Sequence, residues 1–327
     1  MDVRWFGALL VLALQGPAPV PNDTLPADLT LAPPFGLPEA IPDPRENAFS
    51  AERLDLGRRL FFEPALSLDR SVACASCHRP EHGLADDRPL STGVAGRKTL
   101  RNAPTLFNRA FGAHQMWDGR GESLEHQVLL PIENELEMAL PLEQALERLR
   151  GDAKYAASFE SAYGGVSREN LAKALSLFVR RLTFADSPVD RFRVGEVTGL
   201  SREERAGMWL FESRGRCWKC HHGPNFSDEE FHNTGVGVKD GAPEPGRAAI
   251  SAKDEDLGRF KTPTLRALAL TAPYMHDGSL ATLADVVEFY SRGGNANSHR
   301  DPEIEPIELT PEEKTALAAF LGALSRH

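Results

Sequence analysis

Cys74-Ala75-Ser76-Cys77-His78 returns in the second half of the chain as Cys217-Trp218-Lys219-Cys220-His221. Two thiols three residues apart, followed at once by a histidine, suit one chemistry above its competitors. Both thiols can add to the vinyl groups of a c-type haem, and the histidine then supplies the proximal iron ligand. A structural zinc site would want four ligands in a closed tetrahedron, and a thioredoxin-like pair would not need the trailing imidazole. The chain has four cysteines, and the two pentads use them all. Two covalent haems are therefore expected, one on Cys74, Cys77 and His78, the other on Cys217, Cys220 and His221.

The elements that must hold these groups also recur, in the same order. GRRLFFE at 57–63 and GMWLFES at 207–213 each precede a pentad. NAPTL at 102–106 is echoed by KTPTL at 261–265, and WDGRGESLEHQV at 117–128 by HDGSLATLADVV at 276–287. Apolar residues fall at helical spacing over 171–182 and 312–324. Ser201 and Glu204 form a capping box ahead of Met208, Trp209 and Phe211, and Thr310-Pro311 opens the last helix. Alternating strand patterns are scarce. The expected fold is all-α: two cytochrome c-like haem domains related by internal duplication, at 45–190 and 191–327, with the junction near 186–200.

Ahead of them, residues 19–44 are rich in proline and lack periodicity, as an extended lead-in would. Residues 1–18 read as a signal peptide. Trp5 to Leu14 is apolar but too short to span a bilayer comfortably, and small residues follow it up to Ala18. Asp2 and Arg4 cancel, so the charged leader is weak; an uncleaved anchor or a buried strand is the alternative. No later segment is apolar enough to cross a membrane, and a periplasmic protein is expected. The formal charge of −10 speaks against a nucleic-acid partner.

The two halves are not chemically equivalent. A haem that only carries electrons closes its sixth iron position with a protein side chain. With Asp118-Gly119 laid on Asp277-Gly278, thirteen residues past the aspartate the second half offers Tyr290 and the first offers Pro131. Proline has no group that ligates iron. The duplication thus predicts a closed second haem and a first haem open to a small ligand such as peroxide. Met275 would be the obvious thioether ligand, but the matching offset favours Tyr290.

Taken together, CASCH, STG, RNAPTLFN, MWDGR, PIENELEM, CWKCH, KTPTLR and TAPYMHDG resemble the bacterial di-haem cytochrome c peroxidase and MauG family, over about residues 45 to 325. The resemblance implies a peroxidatic N-terminal haem fed with electrons by the C-terminal one. It implies that Trp117 lies between the haems and that Glu137 is the distal carboxylate moving a proton between peroxide oxygens. Gln127 and Pro131 fall in the same distal pocket. It also implies a Ca²⁺ ion held by the Asn102 side chain and the Thr271 and Pro273 carbonyls, oxygen ligands of the kind calcium takes.

Three departures qualify the resemblance. Many of these peroxidases carry a releasable histidine ligand in the loop that here reads RPLSTGVAGRKTLRN, with Val94 near the expected place. His82 and His114, the nearest candidates, read as surface or loop residues, so the first haem should be available without prior reduction. Tyr290 stands where the peroxidases place methionine and MauG tyrosine; a phenolate favours ferric and higher oxidation states. Gly215 stands where MauG has a tryptophan facing its protein partner, so partner and substrate do not transfer. The leading expectation is an enzyme reducing hydrogen peroxide with electrons from a small redox protein. The alternatives are a MauG-like oxidation of a protein or other organic substrate and, outside enzymes, a two-haem electron carrier. A homodimer is one assembly the sequence allows.

Overall fold

The computed structural model describes residues 32–326, so the signal-like segment and the start of the lead-in lie outside the described residues. The main helices are α1 (Ala51–Phe61), α2 (Leu124–Gln127), α3 (Leu130–Glu133), α4 (Leu142–Gly151), α5 (Ala153–Tyr163), α6 (Arg168–Arg180), α7 (Pro188–Arg193), α8 (Arg202–Glu212), α9 (Ala248–Ser251), α10 (Leu283–Ser291) and α11 (Pro311–Ala323). One short antiparallel ladder pairs β1 (Phe231–His232) with β2 (Phe260–Lys261). Between the helices run long loops tied by single 3-10 turns.

Local chemistry explains the starts of the helices. Ser167 opens α6 by accepting the Asn170 N–H through its hydroxyl. Ser201 with Glu204 and Thr310 with Glu313 form reciprocal capping boxes on α8 and α11, satisfying N–H groups that a helix start leaves without partners. The helix expected over 171–182 begins a turn earlier and ends at Arg180, because the cap lies at Ser167 and not at the first apolar residue.

Buried apolar side chains form two clusters. One runs from Leu56 to Leu182, the other from Val189 to Leu324. In the first, α1 packs across α6, with α2 and α5 alongside; in the second, α11 packs across α8 and α10. Both crossings close on a glycine. A Cβ on Gly57 would run into the Ala174 carbonyl oxygen and stand 2.9 Å from the Phe178 Cβ. A Cβ on Gly207 would meet the Ala316 carbonyl and stand 2.8 Å from the Phe320 Cβ. Gly→Ala in a free helix gains about 1 kcal/mol of helix propensity. Here the partner is backbone, which cannot rotate away, and overpacking costs about 1–3 kcal/mol or more. Gly57→Ala and Gly207→Ala are therefore each expected to lower the unfolding free energy measured in denaturant, and a stabilised variant would contradict the packing described.

Candidate functional site

Each pentad is wound into one tight turn. The His78 N–H reaches the Cys74 carbonyl at 2.9 Å, and the His221 N–H reaches that of Cys217 at 2.9 Å, gathering two thiols and an imidazole on one side of the chain. The imidazoles are then oriented identically. His78 Nδ1 lies 3.0 Å from the Leu84 carbonyl oxygen and His221 Nδ1 lies 2.9 Å from that of Phe226. A ring donating from Nδ1 leaves Nε2 as the free lone pair, the arrangement that suits a metal ligand. The carbonyls are aimed by backbone in the left-handed region, with φ of 59° at Leu84 and 50° at Phe226. One residue earlier, the Thr105 hydroxyl donates to the Gly83 carbonyl at 2.6 Å and that of Thr264 to the Asn225 carbonyl at 2.8 Å.

The electrostatics agree with that use. Burial pushes both imidazoles below their ordinary range, His221 to about 4, so both are neutral and free to ligate near pH 7. Burial pushes the thiols of Cys74 and Cys217 up to about 12 and that of Cys77 up to about 11. Such thiols are poor thiolate nucleophiles, which sets these three apart from redox-exchange cysteines.

Around Cys217, Cys220 and His221 opens a cavity of about 220 Å³. Tyr290 and Met275 both line it. Burial, and then the neighbouring Cys220 and Cys217, push the Tyr290 phenol above its ordinary range. Nε2 of the buried His276, which borders the same cavity, faces the Glu244 carboxylate at 3.7 Å, beyond hydrogen-bond distance. Two thiols, an Nε2 left free by the Nδ1 contact and a phenol lining the same cavity fit a covalently held haem. Haem would be held here by Cys217, Cys220 and His221, with Tyr290 on the cavity wall.

The first site is built on a loop that doubles back. The Met138 N–H reaches the Pro131 carbonyl at 3.2 Å and the Leu140 N–H that of Ile132 at 2.8 Å, so Pro131 on α3 and Glu137 lie close together. The loop carrying Val94 lies against them, its N–H donating to the Glu137 carbonyl at 2.8 Å. Glu137 sits near enough to Cys74 and Cys77 for its charge to act on both thiols. Burial raises the Glu137 carboxyl above its usual range, against the pull of Arg120 and a hydrogen bond from Asn134. Gln127 closes α2, and its side chain makes no hydrogen bond among the described residues. His82 faces Asp87 at 3.7 Å, and the His114 ring lies tilted beside that of Phe231 with centroids 5.2 Å apart.

Between the two sites the halves exchange backbone hydrogen bonds. The Asn102 N–H donates to the His276 carbonyl at 2.8 Å, and the Lys261 N–H donates to the Trp117 carbonyl at 2.7 Å. The half-buried Trp117 ring donates from Nε1 to the Asn102 carbonyl at 2.8 Å and stands edge-on to His276, with centroids 6.3 Å apart. His276 lies flat on Phe260 at 3.6 Å. Asn102, Thr271 and Pro273 line the same cavity as Trp117. The Asn102 amide nitrogen is taken by the Arg88 and Pro89 carbonyls, which leaves its oxygen available to a cation.

Two oriented histidines beside paired thiols define a di-haem c-type protein. Comparison with known proteins narrows the class. A family profile described as di-haem cytochrome c peroxidase matches residues 51–198. The methylamine utilization protein MauG of Methylorubrum extorquens is 35% identical over 97% of this chain and 91% of its own length. The cytochrome c551 peroxidase of Pseudomonas aeruginosa is 33% identical over 88% of this chain and 83% of its own. Among solved structures, a MauG-like protein associated with microbial copper homeostasis superposes with a TM-score of 0.81 at 34% identity, over 88% of this chain and 94% of that one. The chain belongs to the di-haem cytochrome c peroxidase family, and it is an oxidoreductase of the peroxidase class.

Sequence reasoning passed over Leu84 and Phe226, whose side chains are merely apolar; the carbonyl direction that matters leaves no trace in residue type. It also passed over His276, although its register opposite Trp117 in the repeated Asp-Gly segment was a usable signal.

Proposed function

We propose that this protein reduces hydrogen peroxide to water at the first site (H₂O₂ + 2 e⁻ + 2 H⁺ → 2 H₂O), with electrons relayed from a small redox protein through the second. Haem held by Cys74, Cys77 and His78 supplies the redox chemistry when bound. The observation that carries the reading is the half-buried Glu137 beside the first pentad, where Pro131 of α3 offers no ligand to close the site. The Glu137 carboxylate takes the proton from one peroxide oxygen and returns it to the departing one. Trp117, braced to both halves, is the bridge for electrons, and Gln127 borders the distal pocket.

The same reading assigns two haem domains, 45–190 and 191–327, related by duplication. It is supported by the two buried clusters, the matching glycine crossings and the reciprocal bonds of Asn102 and Lys261. The junction then falls within α7, whose Val189 packs into the second cluster. Asn102, Thr271 and Pro273 are assigned to Ca²⁺. Export to the periplasm is assigned on the leader; no helix among the described residues is long and apolar enough to cross a membrane.

Tyr290 favours a second reading, in which the peroxide's oxidising power is passed to a protein or other organic substrate. An anionic oxygen ligand would favour a more oxidised second haem than a thioether would.

Low-temperature EPR of the ferric protein, taken before any reductant is added, tests the open first site. One high-spin and one low-spin haem are expected, with peroxide consumed at once. Two low-spin signals would mean that a residue closes the first iron, and the assignment would fail. In Tyr290→Phe the low-spin signal is expected to shift or vanish while the high-spin one stays. An unchanged low-spin signal would hand the ligand role to Met275.

A further inference from the structure

We propose that Asn134 is a positioning residue for the peroxide site: its side-chain amide grips one oxygen of Glu137 and leaves the other as the one that exchanges a proton with peroxide. This rests on the role given to Glu137 above.

Asn134 is itself held from four directions. Its N–H reaches the Leu130 carbonyl at 3.1 Å, and its own carbonyl takes the N–H groups of Glu137 and Ala139, each at 2.9 Å. The side-chain oxygen accepts the Leu136 N–H at 3.0 Å, an Asx turn. With Oδ1 committed to a donor, the NH₂ must point the opposite way, and there Nδ2 stands 2.6 Å from Oε1 of Glu137. Oε2 of Glu137 has no hydrogen-bond partner among the described residues. One carboxylate oxygen is thus anchored to backbone through a rigid amide, and the other is free. A carboxylate without that anchor would sample several rotamers, and proton transfer is sensitive to misplacement of that kind.

The same contact acts on charge. Burial favours the protonated acid, whereas a donor on the carboxylate favours the ionised form. Three other groups bear on Glu137. Arg120, paired with Asp118 at 2.7 Å on the Trp117 loop, pulls toward ionisation. Cys74 and Cys77 face it from the pentad, and they become uncharged thioethers once haem is attached.

The test compares the haem-loaded protein with Asn134→Asp and Asn134→Ser. Both replacements keep an oxygen to accept the Leu136 N–H, so the turn survives. Neither keeps the amide donor: an ionised aspartate has none, and the serine hydroxyl stops one bond short of Nδ2. The Ser variant also adds no charge, and so serves if the new carboxylate disturbs the loop. Two readouts are taken across pH: kcat/KM for peroxide, and the rate at which cyanide binds the ferric protein, which needs a base to take the proton of HCN but no turnover. In Asn134→Asp the acid limb of both is expected to move up by about one pH unit or more, as for paired carboxylates. In Asn134→Ser, kcat is expected to fall about tenfold with KM little changed, and the cyanide rate to fall with it. Both variants matching the parent within about twofold at every pH, while Glu137→Gln is impaired, would leave Asn134 a turn residue only and overturn the proposal. An unimpaired Glu137→Gln would overturn the role of Glu137 and this proposal with it.

Discussion

Glu137→Gln is expected to lower kcat/KM for hydrogen peroxide by about 10²–10⁴-fold, the usual contribution of a placed proton-transfer group. The substitution keeps size and hydrogen-bonding shape but removes the base. Its pH dependence separates this role from simple packing. Burial raises the Glu137 carboxyl above the ordinary carboxylate range, so its ionised form appears only above that raised value. Activity of the parent should therefore climb with pH through a limb lying above where an exposed glutamate titrates. Glu137→Gln should lose that limb altogether. Stopped-flow peroxide consumption by the loaded protein measures both. A variant within threefold of the parent, with the limb retained, would remove Glu137 from the chemistry and hand the proton transfer to another group.

The second large effect is on stability. Arg266 is fully buried and grips both oxygens of Asp190, at 2.7 and 2.8 Å. It also donates to the Pro224 carbonyl at 2.6 Å and to the Gly36 carbonyl at 3.0 Å, while its guanidinium lies 5.4 Å from the Phe226 ring centroid. One side chain thus ties the lead-in, α7 and the loop whose Phe226 carbonyl orients His221. Arg266→Ala strands a buried carboxylate, and breaking such a pair costs about 3–5 kcal/mol. A domain's whole stability is about 5–15 kcal/mol. Unfolding in denaturant should show the loss, and adding Asp190→Asn should recover part of it by removing the stranded charge. Burial alone would push the Asp190 carboxyl up, but Arg266 holds it below the usual range. The pair's contribution is therefore full at neutral pH and lost as pH falls through that lowered value. A loss under 1 kcal/mol would mean the pair only replaces an apolar contact of similar worth.

The sequence echo between the halves stops at this residue. NAPTL is followed by Phe107 and KTPTL by Arg266, so the matching position carries an apolar side chain in one half and a member of a buried ion pair in the other. Nothing in either pentapeptide announced which would be a keystone. Asp190 lies 76 positions away and the Gly36 carbonyl 230, and neither distance can be read from spacing.

What was legible in the residues alone was whatever depends on separations of a few positions. Two thiols and an imidazole on one turn, the capping box of α8, the Thr310-Pro311 start of α11, and the offset that sets Pro131 against Tyr290 are all of this kind. Helical geometry and short-range hydrogen bonds make such spacing nearly equivalent to structure. Tertiary structure alone decided how the groups are aimed. The carbonyls of Leu84 and Phe226 turn each imidazole because backbone at positive φ points them there. Asn102 and Lys261 lock Trp117 between the halves by crossed backbone bonds, and Asn134 takes hold of Glu137 because a loop folds back over α3. Each of these pairings uses groups that every residue carries or that many could supply, so packing, and not residue type, selects the partner.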